Sequence, residues 1–330
     1  FFKQKTAYEM LRSLVGSEMC IRDRSRRVQF HPTRIPAALD QWWQTPASSG
    51  PWDHPCHFRD GPAETVRWIF VLDVLNHCFW ADPGGETWTV HDLGQEWSGY
   101  WGLAASLNRA VREGVPITRA SFLSEISEAE LHHVFRGDGE IPLFQERLAD
   151  LREYGRILER DWGGDAVNLV RAAAGHGLHL AGTLAASFPS FRDEAVYEGR
   201  TVRFWKRAQL LVSDLYHAFG GEGFGAFSDI DALTAFADYK LPQVLRAFGI
   251  ITYDPALEEA VDGYRELEPG GPEEIEIRAM TVWAVEEIRH VLGRAGSPVT
   301  SAAVDHWLWG LGQLNPFRQK PYHRCRTIHY

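Results

Sequence analysis

The sequence predicts a mainly α-helical protein with at most a few short strands. Apolar residues recur at helical spacing through several long segments, short alternating runs are rare, and no strand-built nucleotide motif is present. Ala63 to Trp80 (AETVRWIFVLDVLNHCFW) puts apolar residues on nearly every face, as a helix buried all round does. Asp82 to Gly85 breaks it, and ETWTVHDL alternates as a short strand. SGYWGLAASLNRAVREG resumes helical spacing with Ser98 as its N-cap. Ile117 to Arg136 reads as two short helices with acidic first turns; Pro142 opens a longer amphipathic helix that Gly163-Gly164 ends.

AVNLVRAAAGHGLHLAGTLAASF is expected as one or two closely packed helices broken at Gly175 and Gly177, and FPSFRDEAVYEGRTVRF as a loop with a hairpin. Phe204 to Phe219 is a strong helix, closed by the glycines of GGEGFGAF. Short helices follow in DIDALTAFADYKLPQVLRAFGII, with Pro242 at an early helical position, and in DPALEEAVDGY. EEIEIRAMTVWAVEEIRHVLG is a long helix, and Thr300 caps the last one, TSAAVDHWLWGLGQL. No internal repeat or low-complexity linker divides the chain, so two lobes would be interleaved without a clean boundary.

Composition is that of a globular protein: 330 residues, 45% apolar and 24% charged, with no apolar run near the roughly eighteen residues that span a bilayer. Cys20, Cys56, Cys78 and Cys325 lack CxxC spacing and read as reduced thiols, which favours the cytoplasm. There is no HExxH, and neither His132-His133 nor His54/His57 has companion ligands at metal-site spacing, so no metal is expected. Residues 1 to 24 hold two of the three methionines and no tryptophan, and resemble translated sequencing-adaptor DNA; they are expected to be a non-native leader ahead of one domain over 25 to 330. That leader carries five basic and three acidic residues, so the formal charge of −10 for the whole chain becomes −12 for the body. A body so acidic repels long nucleic acid but can hold a small anion at a local basic cluster.

The chain contains no GxxxxGK[ST], no GxGxxG after a strand and no GxSxG, which removes support for kinase, dehydrogenase and α/β-hydrolase readings. GGEGFG follows a helix and reads as a flexible loop. Three polar residues stand in apolar surroundings. Asp238, in FADY, is either a helix cap or a general base and cation stabiliser. Lys206, after Phe204 and Trp205, either snorkels from an apolar face or serves a site. Asp305, in VDHWLW, is costly to bury unless it receives hydrogen bonds, as the amidine-like edge of a base would supply.

FWKRAQLLVSDLYHAF, FSDIDALTAFADYKLPQVLRAFGIITY, EEIEIRAMTVWAVEEI and the ending PYHRCRTIHY together resemble the queuosine-salvage proteins, the queuosine 5′-phosphate N-glycosylase/hydrolase family. WIFVLDVLNHCFW and SGYWGLAASLNRAVREGVPIT extend the resemblance, which runs from about Phe30 to Tyr330. It implies a helical fold related to the helix-hairpin-helix DNA glycosylases, and release of queuine from queuosine 5′-monophosphate for salvage into tRNA modification. It makes the FADY aspartate, Asp238, the expected catalytic residue; Lys240 stands where Arg is expected and Cys325 where Thr is.

Cleavage of an N-glycoside builds positive charge on the sugar, which a fixed carboxylate stabilises while activating water. Asp238 and Lys206 are therefore the expected catalytic pair. A 7-deazaguanine cannot be protonated at the missing N7, so Asp305 is expected to bind N1-H and the exocyclic amine, and Trp309 or Phe227 to stack on the ring. His57, Asp229 and Tyr239 are further substrate-binding candidates, and Lys206, His323, Arg324 and Arg326 are the expected phosphate cations. No cofactor is expected, and the partner is a small nucleotide bound by a monomer with no membrane contact. Two other classes remain: a nucleic-acid lesion glycosylase of related fold, which should carry a basic groove, and a non-enzymatic helical scaffold, in which Asp238, Asp305 and Lys206 would lie apart.

Overall fold

A computed structural model describes residues 24–43 and 52–330, which fall into two compact units. Unit 1 takes 24–43, Asp193–Gln209 and Asp229–Arg326; unit 2 takes 52–192, Leu210–Ser228 and Thr327–Tyr330. The expected leader lies outside the described residues except for Arg24, which pairs with Glu198 at 3.3 Å.

In chain order the elements are β1 (Val28–Phe30), α1 (Ile35–Trp42), α2 (Pro62–Val74), β2 (Thr89–Asp92), β3 (Gln95–Ser98), α3 (Gly99–Arg112), α4 (Ala120–Leu123), α5 (Glu128–Val134), α6 (Phe144–Asp161), α7 (Val167–Ala172) and α8 (Gly177–Ser187). There follow β4 (Glu194–Tyr197), β5 (Arg200–Arg203), α9 (Lys206–Ala218), α10 (Lys240–Ala247), β6 (Ile251–Tyr253), α11 (Pro255–Asp262), β7 (Glu266–Leu267), α12 (Pro272–Arg294), α13 (Ser301–Leu311) and β8 (Arg324–Cys325). The protein is mainly helical, and its strands pair only two by two.

Several boundaries differ from the sequence reading for identifiable reasons. The helix expected to reach Trp80 stops at Val74, although the chain stays buried to Cys78. There the buried Arg147 guanidinium gathers the carbonyls of Leu75, His77 and Cys78, and Cys78 turns left-handed at φ 43°. The single strand expected in ETWTVHDL has a partner, β3, across a turn at Leu93-Gly94, both with positive φ. Ser98 occupies the N-cap of α3 without a side-chain cap bond, whereas Thr300 caps α13 through Ala303 N. Of the two short helices with acidic first turns, only α5 has one, built as a reciprocal capping box between Ser127 and Glu130. Leu233 to Tyr239, expected to be partly helical, runs as irregular chain between a short 3-10 turn and α10.

Unit 1 is built on α12. Val244, Leu245, Ile277, Val285, Trp307 and Leu308 are fully or almost fully buried in one apolar cluster formed by α10, α12 and α13. The first half of α12 also buries Glu274, Glu276 and Arg278. Glu276, with no exposed surface, accepts from Ser25 Oγ (2.7 Å), the backbone N–H groups of Arg26 and Arg27 (3.0 and 2.8 Å) and the Tyr197 hydroxyl (2.8 Å), and so anchors the segment leading into β1. β1 then pairs antiparallel with β6, Val28 opposite Tyr253.

Unit 2 packs α2 against α6, where Phe70 stacks on Tyr154 with ring centres 6.3 Å apart. Arg67 makes a two-pronged bond to Asp165 at 3.0 and 2.7 Å. α4 and α6 approach so closely at Gly155 that a Cβ there would lie 2.4 Å from Ser124 N and 2.7 Å from Ala120 O, both backbone atoms. Alanine favours a helix over glycine by about 1 kcal/mol, yet here the overlap with a rigid backbone outweighs that gain. Gly155→Ala is therefore expected to destabilise the protein by about 1–3 kcal/mol. Urea unfolding midpoints measure this, and a variant as stable as the parent would show that α4 yields freely.

Candidate active site

Asp193 and Arg278 set the frame of the site. Arg278, on α12, donates to both oxygens of Asp193 at 2.8 and 2.5 Å, to Glu274 at 3.1 Å, and through Nε to the carbonyl of Ala237 at 3.1 Å; its guanidinium lies 3.9 Å from the centre of the Phe204 ring. Asp193 in turn receives the backbone N–H of Phe204 and Trp205 on its carbonyl and that of Lys206 on its carboxylate at 3.1 Å. Trp205 is left-handed (φ 46°), a cost met by these bonds and by its indole N–H donating to Glu194 at 3.1 Å. The result is that α9 begins with Lys206 at a fixed place.

The segment before α10 is held in the same way, by side chains instead of a sheet. Thr234 N donates to Gln209 Oε1 at 2.9 Å, Phe236 N to Asp305 Oδ2 at 2.7 Å, and the Ala237 carbonyl accepts from Arg278. Asp238 follows, and its Oδ1 accepts the backbone N–H of Lys240 at 2.7 Å and of Leu241 at 3.1 Å. It caps α10 while Oδ2 takes no hydrogen bond from a described residue. Capping and chemistry are thus compatible uses of one side chain.

Asp238, Lys206 and Asp305 are each buried and close enough to shift one another. Burial pushes the Asp238 carboxyl above its ordinary value, and the Lys206 charge and the two amide bonds pull it back. Asp305 is pushed up to about 8 by burial and by the Asp238 charge, against the Phe236 N–H bond and Lys206. At neutral pH Asp305 holds its proton, while the Lys206 charge and the two amide bonds favour the ionised form of Asp238. A buried carboxylate with one uncommitted oxygen beside a lysine can stabilise a cation and polarise water; a neutral acid beside it can meet a polar base edge.

The other candidates are distributed. Tyr239 is the N-cap residue of α10, its ring 4.7 Å from that of Tyr322. Trp309 is half-buried on α13 against the unit 1 core, and Asp229 precedes the 3-10 turn Ile230–Ala232. His323 is buried, and burial with the charges of Arg278 and Arg246 holds it down to about 3, so it offers a hydrogen bond and not a cation. Arg324 lies 4.8 Å from the Tyr264 ring, and Arg326 pairs with Glu266 at 3.0 Å. His57 and Phe227 belong to unit 2. His57 stacks on Trp52 at 4.0 Å and shares a 2.7 Å hydrogen bond with Tyr100; Phe227 lines a cavity of about 590 Å³ with Phe219, Phe224 and Arg171. Among the described residues no three of His, Cys, Asp or Glu are grouped to hold a metal, and no helix is long and apolar enough to cross a membrane.

The family model described as queuosine salvage protein matches residues 56–330. The chain belongs to the queuosine salvage protein family. It is 47% identical over 279 residues to a Sphaerobacter thermophilus protein named queuosine 5′-phosphate N-glycosylase/hydrolase, covering 84% of this chain and 85% of that one. Proteins of the same name from Nematostella vectensis and Mus musculus are each 37% identical, with the same shares covered. Within the family frame, the residues that sequence reasoning missed are Asp193, Gln209 and Arg278. Arginine amid EEIEIRAM, four residues after Glu274, was the available signal, since a cation in an apolar helical run must find partners.

Asp305 also gives the fold a pH dependence. Its carboxyl titrates near 3.8 in the unfolded chain and at about 8 in the folded one, so between those values only the folded chain keeps the proton. The stability this contributes is complete below the unfolded value and is lost as pH rises toward about 8. Asp305→Asn keeps an acceptor for Phe236 N–H and has no proton to lose. Its melting temperature relative to the parent is expected to climb steadily from pH 4 to pH 8; a constant difference across that series would contradict the assignment.

Proposed function

We propose that the protein hydrolyses the N-glycosidic bond of queuosine 5′-phosphate, releasing queuine and ribose 5-phosphate. The observation that carries this reading is Asp238: a buried carboxylate whose Oδ1 is pinned by two backbone amides and whose Oδ2 faces no described hydrogen-bond partner, under the influence of Lys206. Departure of the base leaves an oxocarbenium-like sugar, and a fixed negative charge beside C1′ is worth most when the site is dry and needs no reorganisation. The same oxygen accepts a proton from the attacking water. The Lys206 charge opposes the upward shift that burial imposes on Asp238.

The base is read as lying against Asp305. A guanine-type edge offers N1-H and an exocyclic amine, two donors that favour the carboxylate form, so binding releases the Asp305 proton to solvent in exchange for two hydrogen bonds. Trp309 supplies the stacking face in this reading. The names of the relatives and the helical architecture support it, and the reading carries with it a fold related to the helix-hairpin-helix DNA glycosylases. The acidic chain, with formal charge −10, and the buried thiols Cys56, Cys78 and Cys325 support a cytoplasmic monomer acting on a small nucleotide. A lesion glycosylase would need a basic groove along a duplex; here Arg246 and Lys320 are both committed to Glu258 and Asp262, which disfavours that reading.

The test is chromatographic. Purified protein is expected to convert queuosine 5′-phosphate to queuine and ribose 5-phosphate without added metal or cofactor, and absence of both products from folded protein would defeat the proposal. Asp238→Asn keeps an oxygen to accept from Lys240 and Leu241, so melting should change little while single-turnover cleavage falls at least about a hundredfold. Near-parental cleavage by this variant would reduce Asp238 to a cap.

A further inference from the structure

Lys206 and Asp238 come to the site from two segments that share no sheet. Lys206 opens α9 after the left-handed Trp205, and Asp238 lies in the irregular run from Leu233 to Tyr239. Gln209, in the first turn of α9 and without exposed surface, bonds to both segments. Its Nε2 donates to the Phe204 carbonyl at 2.8 Å and to Thr234 Oγ1 at 3.0 Å, and its Oε1 accepts the Thr234 backbone N–H at 2.9 Å. Phe204 stands two residues before Lys206, and Thr234 four residues before Asp238. Thr234 is buried, so its N–H depends on a protein acceptor. Arg278 joins the same segments through Asp193 and the Ala237 carbonyl, but its loss would strip the buried Asp193 and Glu274 carboxylates of their cation and so would test the fold before the geometry. Gln209 links the two segments without a charge.

We propose that Gln209 is a positioning residue, whose side-chain amide sets how Lys206 and Asp238 stand to one another and which acts on the reaction only through them. The inference rests on the hydrolase reading of that pair for its effect on the rate, and on the hydrogen bonds for the geometry. A carboxamide carries donors and an acceptor on one planar head, so a single side chain can hold a carbonyl of one segment and an N–H of the other. A carboxylate of the same length would keep the acceptor, lose both donors, and bring another negative charge into the region where Asp238 and Asp305 are already pushed up by burial. An apolar side chain of the same length would leave the Thr234 N–H without its acceptor, and the segment leading to Asp238 would shift to find another. Such a shift matters because a fixed charge stabilises a developing cation only from the right place, and a misplacement of about 1 Å caused away from the reacting atoms can cost about a hundredfold in rate.

The experiment is a double-mutant cycle on the full chain, Gln209→Met with and without Asp238→Asn, read by cleavage of queuosine 5′-phosphate well below the melting temperature of each variant. Gln209→Met should lower kcat at least about tenfold and change KM by less than about threefold, as loss of an alignment needed only in the transition state does. In the Asp238→Asn background the same substitution should cost less than about threefold in single-turnover rate, because the charge that it misplaces is already gone. Gln209→Asn, a neutral amide one methylene too short to hold both segments, gives the same readings if Gln209→Met does not fold. An equal loss in both backgrounds, or an undiminished kcat in the folded variants, overturns the proposal. The second reading needs no turnover: carbon-13 NMR of the Asp238 carboxyl, assigned by its absence from Asp238→Asn. The Lys206 charge pulls the Asp238 titration down, so with the link cut the carboxyl should titrate at higher pH than in the parent. An unmoved titration overturns the proposal whether or not the parent cleaves. If the parent leaves the nucleotide intact while the titration moves up, the hydrolase reading falls and the positioning role of Gln209 stands.

Discussion

A guanidinium cannot be buried alone, and the one on Arg278 is 2% exposed. Removing such a charge from water costs several kcal/mol, which only well-aimed acceptors return. Here they are both oxygens of Asp193, one of Glu274 and the carbonyl of Ala237, with the Phe204 ring against the cation. These partners come from the entry to β4, from α12 and from the stretch carrying Asp238, so meeting the needs of one side chain fixes three parts of unit 1 together. Breaking a buried pair of this kind costs about 3–5 kcal/mol, a large part of a domain's whole stability of roughly 5–15 kcal/mol. The chain therefore cannot relax around Arg278 without giving up the geometry of the site.

That rigidity has an electrostatic use. Asp238 and Asp305 are both buried, and two carboxylates in one dry region do not ionise equally. The surrounding bonds decide which does. Asp238 receives two backbone N–H bonds and the influence of Lys206 and Lys240; Asp305 receives one N–H bond and is pushed up to about 8. The upward push of burial on each group is countered by the donors that reach it, and those donors are fixed because Gln209, Asp305 and Arg278 hold residues 234 to 238 in place.

Helices of strong periodicity were legible in the sequence. Phe204 to Phe219, the run from Glu273 to Gly293 and the Thr300 cap match α9, α12 and α13 within a residue or two. What escaped were places where a distant side chain overrides local preference. The helix from Ala63 ends early because Arg147, some seventy positions on, takes three carbonyls after Leu72. FADY looked partly helical because its apolar residues suit a helix; it is irregular because its backbone bonds go to residues 209, 278 and 305. Asp238, Asp305 and Lys206 were visible as polar residues in apolar text, and the fold brings them within electrostatic reach of one another. Arg278 was equally anomalous in EEIEIRAM, but a cation four residues after a glutamate reads first as an ordinary surface helix pair.

An acidic protein that handles an anionic substrate faces a conflict, and the arrangement of charges in unit 1 shows how it is met. Surface cations such as Lys320 and Arg326 are neutralised by neighbouring carboxylates, so they add little long-range attraction for a polyanion. Near Asp238 the balance reverses: Lys206 and Lys240 both act on the carboxylate, and Arg318 acts on Lys240. Local positive charge inside a negative body discriminates by size, since a small anion can shed its water and reach a buried cation such as Lys206, whereas a long duplex must lie across the repelling surface to deliver one phosphate. Lys206 and Lys240 do a second service, because each favours the ionised form of Asp238 that burial opposes. The backbone amides of Lys240 and Leu241 oppose burial in the same direction and no anion can neutralise them, so part of the support for the ionised form of Asp238 does not depend on what lies beside it.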